Sequence, residues 1–163
     1  MTESTPLDAD RLTHLDAAGK ARMVDVAERA ITVRTASASA RVTTRVAGSI
    51  AAGDVPKGDV LAVARVAGIM AAKRTPDLIP LCHPIALHGV GVELEADPDA
   101  DEVRIRVTVR TADRTGVEME ALTAAATAGL TVIDMVKALD PHAALRDVQV
   151  EAKSGGRSGD WAR

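Results

Sequence analysis

A chain of 163 residues, 47% hydrophobic and 26% charged, with a formal net charge of −3, has the composition of one globular domain and not of a disordered or polycationic chain. One Trp and no Phe or Tyr leave no platform for stacking bases, which argues against the common modes of RNA or single-stranded DNA binding. The single cysteine, Cys82, excludes an intrachain disulfide; no secretory leader is apparent, and the apolar runs 60–72 and 121–133 are short of the ~20 residues of a bilayer span, so a cytoplasmic protein with no nucleic-acid or membrane partner is expected.

Residues 1–28 mix charge, Pro and Gly without a period and read as an extended arm, partly disordered at its start. From Arg29 to Val46, Ile31 and Val33 and then Val42, Thr44 and Val46 alternate with Arg and Thr, as in a strand with one exposed face. After the turn-like AAGDVPKGD, Asp59 suits the cap of a helix running to about Arg74, with Val60, Val63, Ala67 and Met70 inward. Pro76, Pro80 and Pro84 then break the chain into an irregular segment. Alternation at 90–96 and 103–109, separated by DPDAD, predicts a hairpin. Residues 116–140 form one amphipathic helix with Leu122, Ala126, Gly129, Leu130, Ile133 and Val136 as its core stripe. A last strand carries Val148, Val150 and Ala152, before a glycine-rich tail over 154–163. The order β-α-β-β-α-β predicts an α+β fold, ferredoxin-like, with a four-stranded antiparallel sheet and helices on one face. Residues 29–153 then make a single α+β domain, the part of the chain expected to carry any catalytic site.

On the long helix, a turn of ~100° per residue puts Lys137 inside the apolar stripe with Asp134 on its flank. Two readings stand: a snorkelling lysine in an ordinary i,i+3 pair, or a proton-transfer pair whose pKa values are moved by burial and by each other. At the other end Glu118 and Glu120 bracket Met119, where carboxylates suit the free N–H groups of a helix start. Glu118 and Asp134 are separated by roughly 24 Å of helix and roughly 160° around it, so they cannot line one small pocket in a single chain. Either there are two sites, or one pocket is completed by a second copy.

Three further pieces stand out. Lys57, before a helix start, suits a phosphate, or is a solvated turn lysine. In Leu81-Cys82-His83-Pro84, His83 is a candidate acid or base and Cys82 a small packed residue; the His and Cys spacing fits no common zinc site. The run Lys153-Ser-Gly-Gly-Arg157-Ser-Gly lacks Walker A spacing and by itself reads as a flexible tail, but with Arg34, Lys57 and Lys137 it supplies positive charge for a polyphosphate.

The segments MVDV, KGDVLAVARVAGIMAAKRTPDLIPLCHP, TGVEMEALTAAATAGLTVIDMVKALD and AKSGGRSG resemble the cyclic pyranopterin monophosphate synthase family, also called molybdenum cofactor biosynthesis protein C, from about Thr13 to Asp160. The resemblance implies a lyase that converts a cyclic dihydro-GTP intermediate to cyclic pyranopterin monophosphate and pyrophosphate. It also implies a homohexamer built as a trimer of dimers, with the pocket at a dimer interface. By motif match Asp134, Lys137 and Lys57 are the catalytic candidates. Leu81, Cys82, His83, Met119 and Glu120 are substrate contacts, with Glu118, Arg34 and Lys153 as neighbours.

No organic cofactor is implied. A divalent metal riding on the substrate phosphates is compatible with the chemistry, although no ligand cluster stands out in the sequence. Ile133 and Val136 depart from the Tyr and Cys of many relatives, Pro76 from a larger residue and Arg22 from a His; none of these removes a charged site residue. The rival readings are a non-catalytic nucleotide-binding regulatory module of the same fold and a pure assembly protein.

Overall fold

Alternation of Val103, Ile105, Val107 and Val109 builds an interior strand of the computed structural model, which describes residues 16, 18–157 and 159–163. This strand, β3 (Glu102–Asp113), pairs antiparallel with β2 (Gly89–Asp97) in the register Val90↔Val109, Val92↔Val107, Leu94↔Ile105, so the predicted hairpin is present. On its other side β3 pairs with β1 (Thr32–Thr43), which in turn pairs with β4 (Ala144–Ser154). The last pairing is β4 with β5 (Trp161–Ala162), giving the antiparallel order β2-β3-β1-β4-β5.

The sheet therefore has five strands where four were expected. The fifth comes from the glycine-rich tail: Gly155 N–H donates to the Asp160 carboxylate at 2.9 Å, and the turn returns Trp161 to pair with Lys153. The disordered start expected for the arm falls on residues outside those described.

In β1 the inward residues are Ala36, Ala38, Ala40 and Val42, all nearly inaccessible, whereas Ile31 and Val33 are more than half exposed. The expected alternation was anchored on the large side chains at the strand's start, but those occupy the opposite phase. Small alanines carry the buried face.

The helices show the same effect in part, since Val60, Gly129 and Val136 are buried as expected. Asp59 caps α2 (Val60–Lys73), its carboxylate accepting from Ala62 N–H at 2.9 Å, as the sequence predicts. Inward on α2 are Val60, Ala64, Gly68, Ala71 and Ala72; Val63 and Met70, expected inside, are 45% and 52% exposed. The long helix α4 (Glu118–Val136) buries Ala121, Ala124, Ala125, Ala128, Val132 and Val136 against β1, β3, β4 and α2, leaving Leu130 outward. A layer of Ala and Gly lets α2, α4 and the sheet approach closely in a chain with no Phe or Tyr to fill wider gaps.

Two short helices were not expected: α1 (Ala47–Ala52), after β1, and α3 (Thr75–Leu78), inside the proline-broken segment. The continuous 19-residue α4, with a mean hydropathy of 1.3, is long and apolar enough to cross a membrane, so the length argument against a span does not hold for it. Its buried face is committed to the core.

Candidate functional site

Chemistry-bearing side chains gather at the two ends of α4. At the C-terminal end the helix leaves carbonyls without intrahelical partners and carries the negative end of the dipole, which draws cations. Lys57 supplies one. It sits on the turn closed by Gly58 N–H to Val55 C=O at 3.0 Å, which buried Val55 anchors just before α2. From there its ammonium reaches both the Asp134 carbonyl, at 2.8 Å, and the Asp134 carboxylate, at 2.6 Å. Lys137, the residue that ends α4, donates to the other carboxylate oxygen at 2.6 Å. Hydrogen bonds first from Lys137 and then from Lys57 pull the Asp134 carboxyl down to about 2.

This trio differs from the sequence expectation in one respect. Lys137 is not drawn into the apolar stripe: its side chain is 63% exposed and that of Asp134 55% exposed. Paired ammoniums, and not burial, shift the carboxyl. The expected i,i+3 contact is present, and the 77-residue reach to Lys57 is a partner that helix periodicity alone does not reveal.

The N-terminal end of α4 borders a cavity of about 270 Å³ lined by Leu81, Cys82, His83, Glu118, Met119 and Glu120, with Val24, Val26, Arg29, Thr115 and Gly116 completing the wall. His83 Nε2 lies 2.6 Å from the Val24 carbonyl; a carbonyl only accepts, so Nε2 carries the hydrogen and fastens the arm across the cavity. Burial raises the Cys82 thiol, and the charge of Glu120 raises it further, which disfavours the thiolate form. Glu120 is 3% exposed, and burial pushes its carboxyl up to about 7 against the weaker pull of its own backbone N–H.

An adjoining recess of about 140 Å³ shares Arg29, Gly116 and Glu118 with this cavity and adds Arg34, Thr35 and Lys153. Lys153 Nζ lies 3.1 Å from the Glu118 carboxylate. The Arg34 guanidinium donates to the carbonyls of Asp113 and Arg114, at 3.1 and 3.2 Å. Two glycines make the recess: the Glu118 carboxylate folds back over Gly116, and Arg34 lies against Gly156, whose φ of 81° is itself unfavourable for other residues. A Cβ at either position would collide with the charged group.

The sequence candidates thus form two assemblies. Lys57, Asp134 and Lys137 meet at one end; Leu81, Cys82, His83, Glu118, Met119, Glu120, Arg34 and Lys153 meet at the other. They are separated along a helix of 19 residues, roughly 28 Å at its usual rise. Arg29, Val24 and Val26 were not singled out as site residues, although the latter two lie in the MVDV segment.

A larger hollow, about 540 Å³, lies elsewhere, on the open face of the sheet. Two of the three arginines that line it are matched to acids. Arg41 bonds Asp147 and, at 3.1 Å, the nearly buried Glu102; Arg104 bonds Asp97 and, at 2.8 Å, Glu102. Among the described residues no group of three or more His, Cys, Asp or Glu is placed to hold a metal ion.

Comparison with known proteins adds an independent line. A sequence profile described as the MoaC family matches residues 23–156. A protein named cyclic pyranopterin monophosphate synthase from Streptomyces coelicolor is 62% identical over 156 residues, covering 94% of this chain and 91% of the relative. Proteins of the same name from a Nocardioides species and from Rhodospirillum rubrum are 60% and 55% identical. They cover 94% and 99% of this chain, and 96% and 98% of their own lengths.

Proposed function

The chain belongs to the MoaC family, and from that membership we propose that it is a cyclic pyranopterin monophosphate synthase, a lyase of molybdenum cofactor biosynthesis working in the cytoplasm. Its substrate is 3',8-cyclo-7,8-dihydro-GTP, and its products are cyclic pyranopterin monophosphate and pyrophosphate. The fold carrying this activity is the ferredoxin-like arrangement extended by β5. The observation that carries the reading is the Lys57–Asp134–Lys137 cluster, two ammoniums held on one exposed carboxylate at a helix end.

That cluster suits a triphosphate. The phosphates compete for the ammoniums that now hold Asp134. As Lys137 and Lys57 turn to the ligand, the carboxylate loses the partners that depress it and becomes a better proton acceptor. A ribose hydroxyl then attacks the α-phosphorus, closing the cyclic phosphate and expelling pyrophosphate, with Asp134 and Lys137 handling protons. Opening of the imidazole ring and closure of the pterin call on the other half of the site.

Both halves serve one substrate if two chains meet with their α4 helices antiparallel, so that the end carrying Asp134 faces the partner's Glu120 cavity. Outward Val63, Val66 and Met70 on α2, with Leu130 on α4, give the helical layer an apolar surface suited to such a dimer, three of which form the proposed hexamer.

Incubation of the purified protein with 3',8-cyclo-7,8-dihydro-GTP and measurement of released pyrophosphate tests the reading. Turnover is expected, and Asp134→Asn should reduce it by at least a hundredfold with the circular dichroism spectrum intact. Binding without pyrophosphate release would instead favour a regulatory nucleotide-binding module.

A further inference from the structure

Asp140, just past the end of α4, is a buried carboxylate that the chemistry above does not use. It is 4% exposed and both of its oxygens are engaged. One accepts from the Thr44 hydroxyl at 2.8 Å and from the Arg45 N–H at 3.0 Å; the other accepts from the His142 N–H at 3.1 Å. The Thr44 hydroxyl, helped by the two N–H groups and opposed by burial, holds the Asp140 carboxyl below the ordinary aspartate value, so the group stays ionised. The Arg45 guanidinium adds a bond to the Leu139 carbonyl at 2.8 Å. Together these contacts join two stretches far apart in sequence, the end of α4 and the chain that enters α1.

Each stretch runs from that joint to one half of the Lys57–Asp134 pair. On one side the Asp140 N–H donates to the Val136 carbonyl at 2.9 Å, which continues the last turn of α4 that carries Asp134 and Lys137. On the other, α1 is fixed by buried Ala47 and Ile50 and ends at Gly53, whose φ of 74° turns the chain through buried Val55 to Lys57. The ion pair where the two meet cannot hold this geometry by itself. Its side chains are 49% and 55% exposed, and a pair of that kind is worth little against the entropy of ordering both. Among the described polar contacts between the two stretches, the Thr44–Asp140 bond is the one buried at both ends.

We propose that Asp140 is a positioning residue: its carboxylate pins the end of α4 to the chain entering α1, and through those two arms sets where the Lys57 ammonium meets Asp134. For its effect on turnover the inference rests on the synthase reading; for the geometry of the pair it does not. Asparagine cannot take over the role. Its amide has one acceptor oxygen where the carboxylate has two, and turns its NH2 onto either the His142 N–H or the Arg45 N–H. At the facing position Thr44→Val keeps the shape and removes the hydroxyl, whereas Thr44→Ser keeps the hydroxyl.

The test is a carbon-13 titration of the Asp134 carboxyl in the full-length protein, run beside steady-state turnover of 3',8-cyclo-7,8-dihydro-GTP. The wild-type midpoint should lie at about 2; Asp140→Asn and Thr44→Val should move it up toward the ordinary 3.8, and Thr44→Ser should leave it in place. The kcat/KM of Asp140→Asn should fall on the order of a hundredfold, the effect of misplacing a reacting group by about 1 Å. In a Lys57→Ala background the same substitution should cost less than about threefold further, since a spacing has no effect once the ammonium it places is gone. A purely structural Asp140 would lower the urea midpoint, leave the Asp134 titration unmoved, and multiply its loss with that of Lys57→Ala. An unmoved titration or a multiplied loss overturns the proposal, as does a wild-type Asp134 midpoint at the ordinary value. If Asp140→Asn does not fold, Thr44→Val against Thr44→Ser decides by the same titration. Absence of pyrophosphate release from the wild-type protein would sink the synthase reading, while the titration, which needs no turnover, still decides the role of Asp140.

Discussion

Glu120 and Asp134 are carboxyls on one helix, and their surroundings push them in opposite directions. Glu120, buried without a cation, rises to about 7; Asp134, exposed between Lys137 and Lys57, falls to about 2. Titratable groups split in this way mark places where a protein keeps two protonation states at one pH. The split has a consequence for stability. Glu120 holds its proton more tightly in the folded chain than at its ordinary value of 4.5, so the folded state is favoured most below about 4.5 and loses that advantage as pH rises through 7. The loss amounts to at most about 3.5 kcal/mol, from about 1.4 kcal/mol for each pH unit of displacement. Between pH 5 and pH 8 the urea midpoint of the wild-type protein should therefore fall, and Glu120→Gln should lack that part of the fall. Equal pH slopes for the two proteins would mean that Glu120 is ionised in the fold. Asp134 contributes nothing comparable over this range, since its carboxyl remains ionised well below pH 5.

At the level of elements, small residues decide the packing. Gly68 on α2 faces α4 so closely that an added Cβ would stand 3.1 Å from the Ala124 carbonyl oxygen and 3.3 Å from a Val92 methyl. Both neighbours are held, one by the α4 backbone and the other by the sheet. Gly68→Leu should thus destabilise the domain by about 1–3 kcal/mol despite the better helix propensity of Leu, read as a lower urea midpoint. An unchanged midpoint would mean that α2 and α4 can separate without loss.

The same feature explains which parts of the fold were legible in the sequence. The hairpin was legible because Val and Ile alternate on β3 with nothing competing for the inward phase. The Asp59 cap was legible because its carboxylate acts on its own helix. The inward faces of β1, α2 and α4 were legible in part: Val42, Val60, Gly129 and Val136 are buried, whereas the large side chains of Val33, Val63, Met70 and Leu130 attract the assignment but point outward, and alanines take the inward positions instead. Strand β5 was hidden because its pairing depends on a turn built by Gly155 and Asp160, with only two paired residues to signal it. At the site, sequence periodicity placed Lys137 beside Asp134 but misjudged its burial, and could not supply Lys57, which arrives from another element.

For the molecule as a whole, the separation of the two half-sites bears directly on assembly. Asp134 and His83 stand at opposite ends of α4 in one chain, so a pocket using both must draw them from different chains. Asp134→Asn and His83→Ala, each homogeneous, should both be inactive, because every pocket then lacks one essential group. Mixed and allowed to exchange subunits, half of the dimers at equal proportions carry one chain of each kind. In such a dimer one of the two pockets receives both wild-type groups and the other receives both substitutions. Turnover should return to about a quarter of the wild-type rate, the value set by two-fold symmetry and random pairing. The recovery should need time for exchange, and should disappear when a charge on the outward face of α2, as in Val66→Asp, prevents the chains from meeting. A mixture that stays inactive after demonstrated exchange would mean that each chain closes its own pocket, and the outward apolar stripe of α2 would then need another occupant.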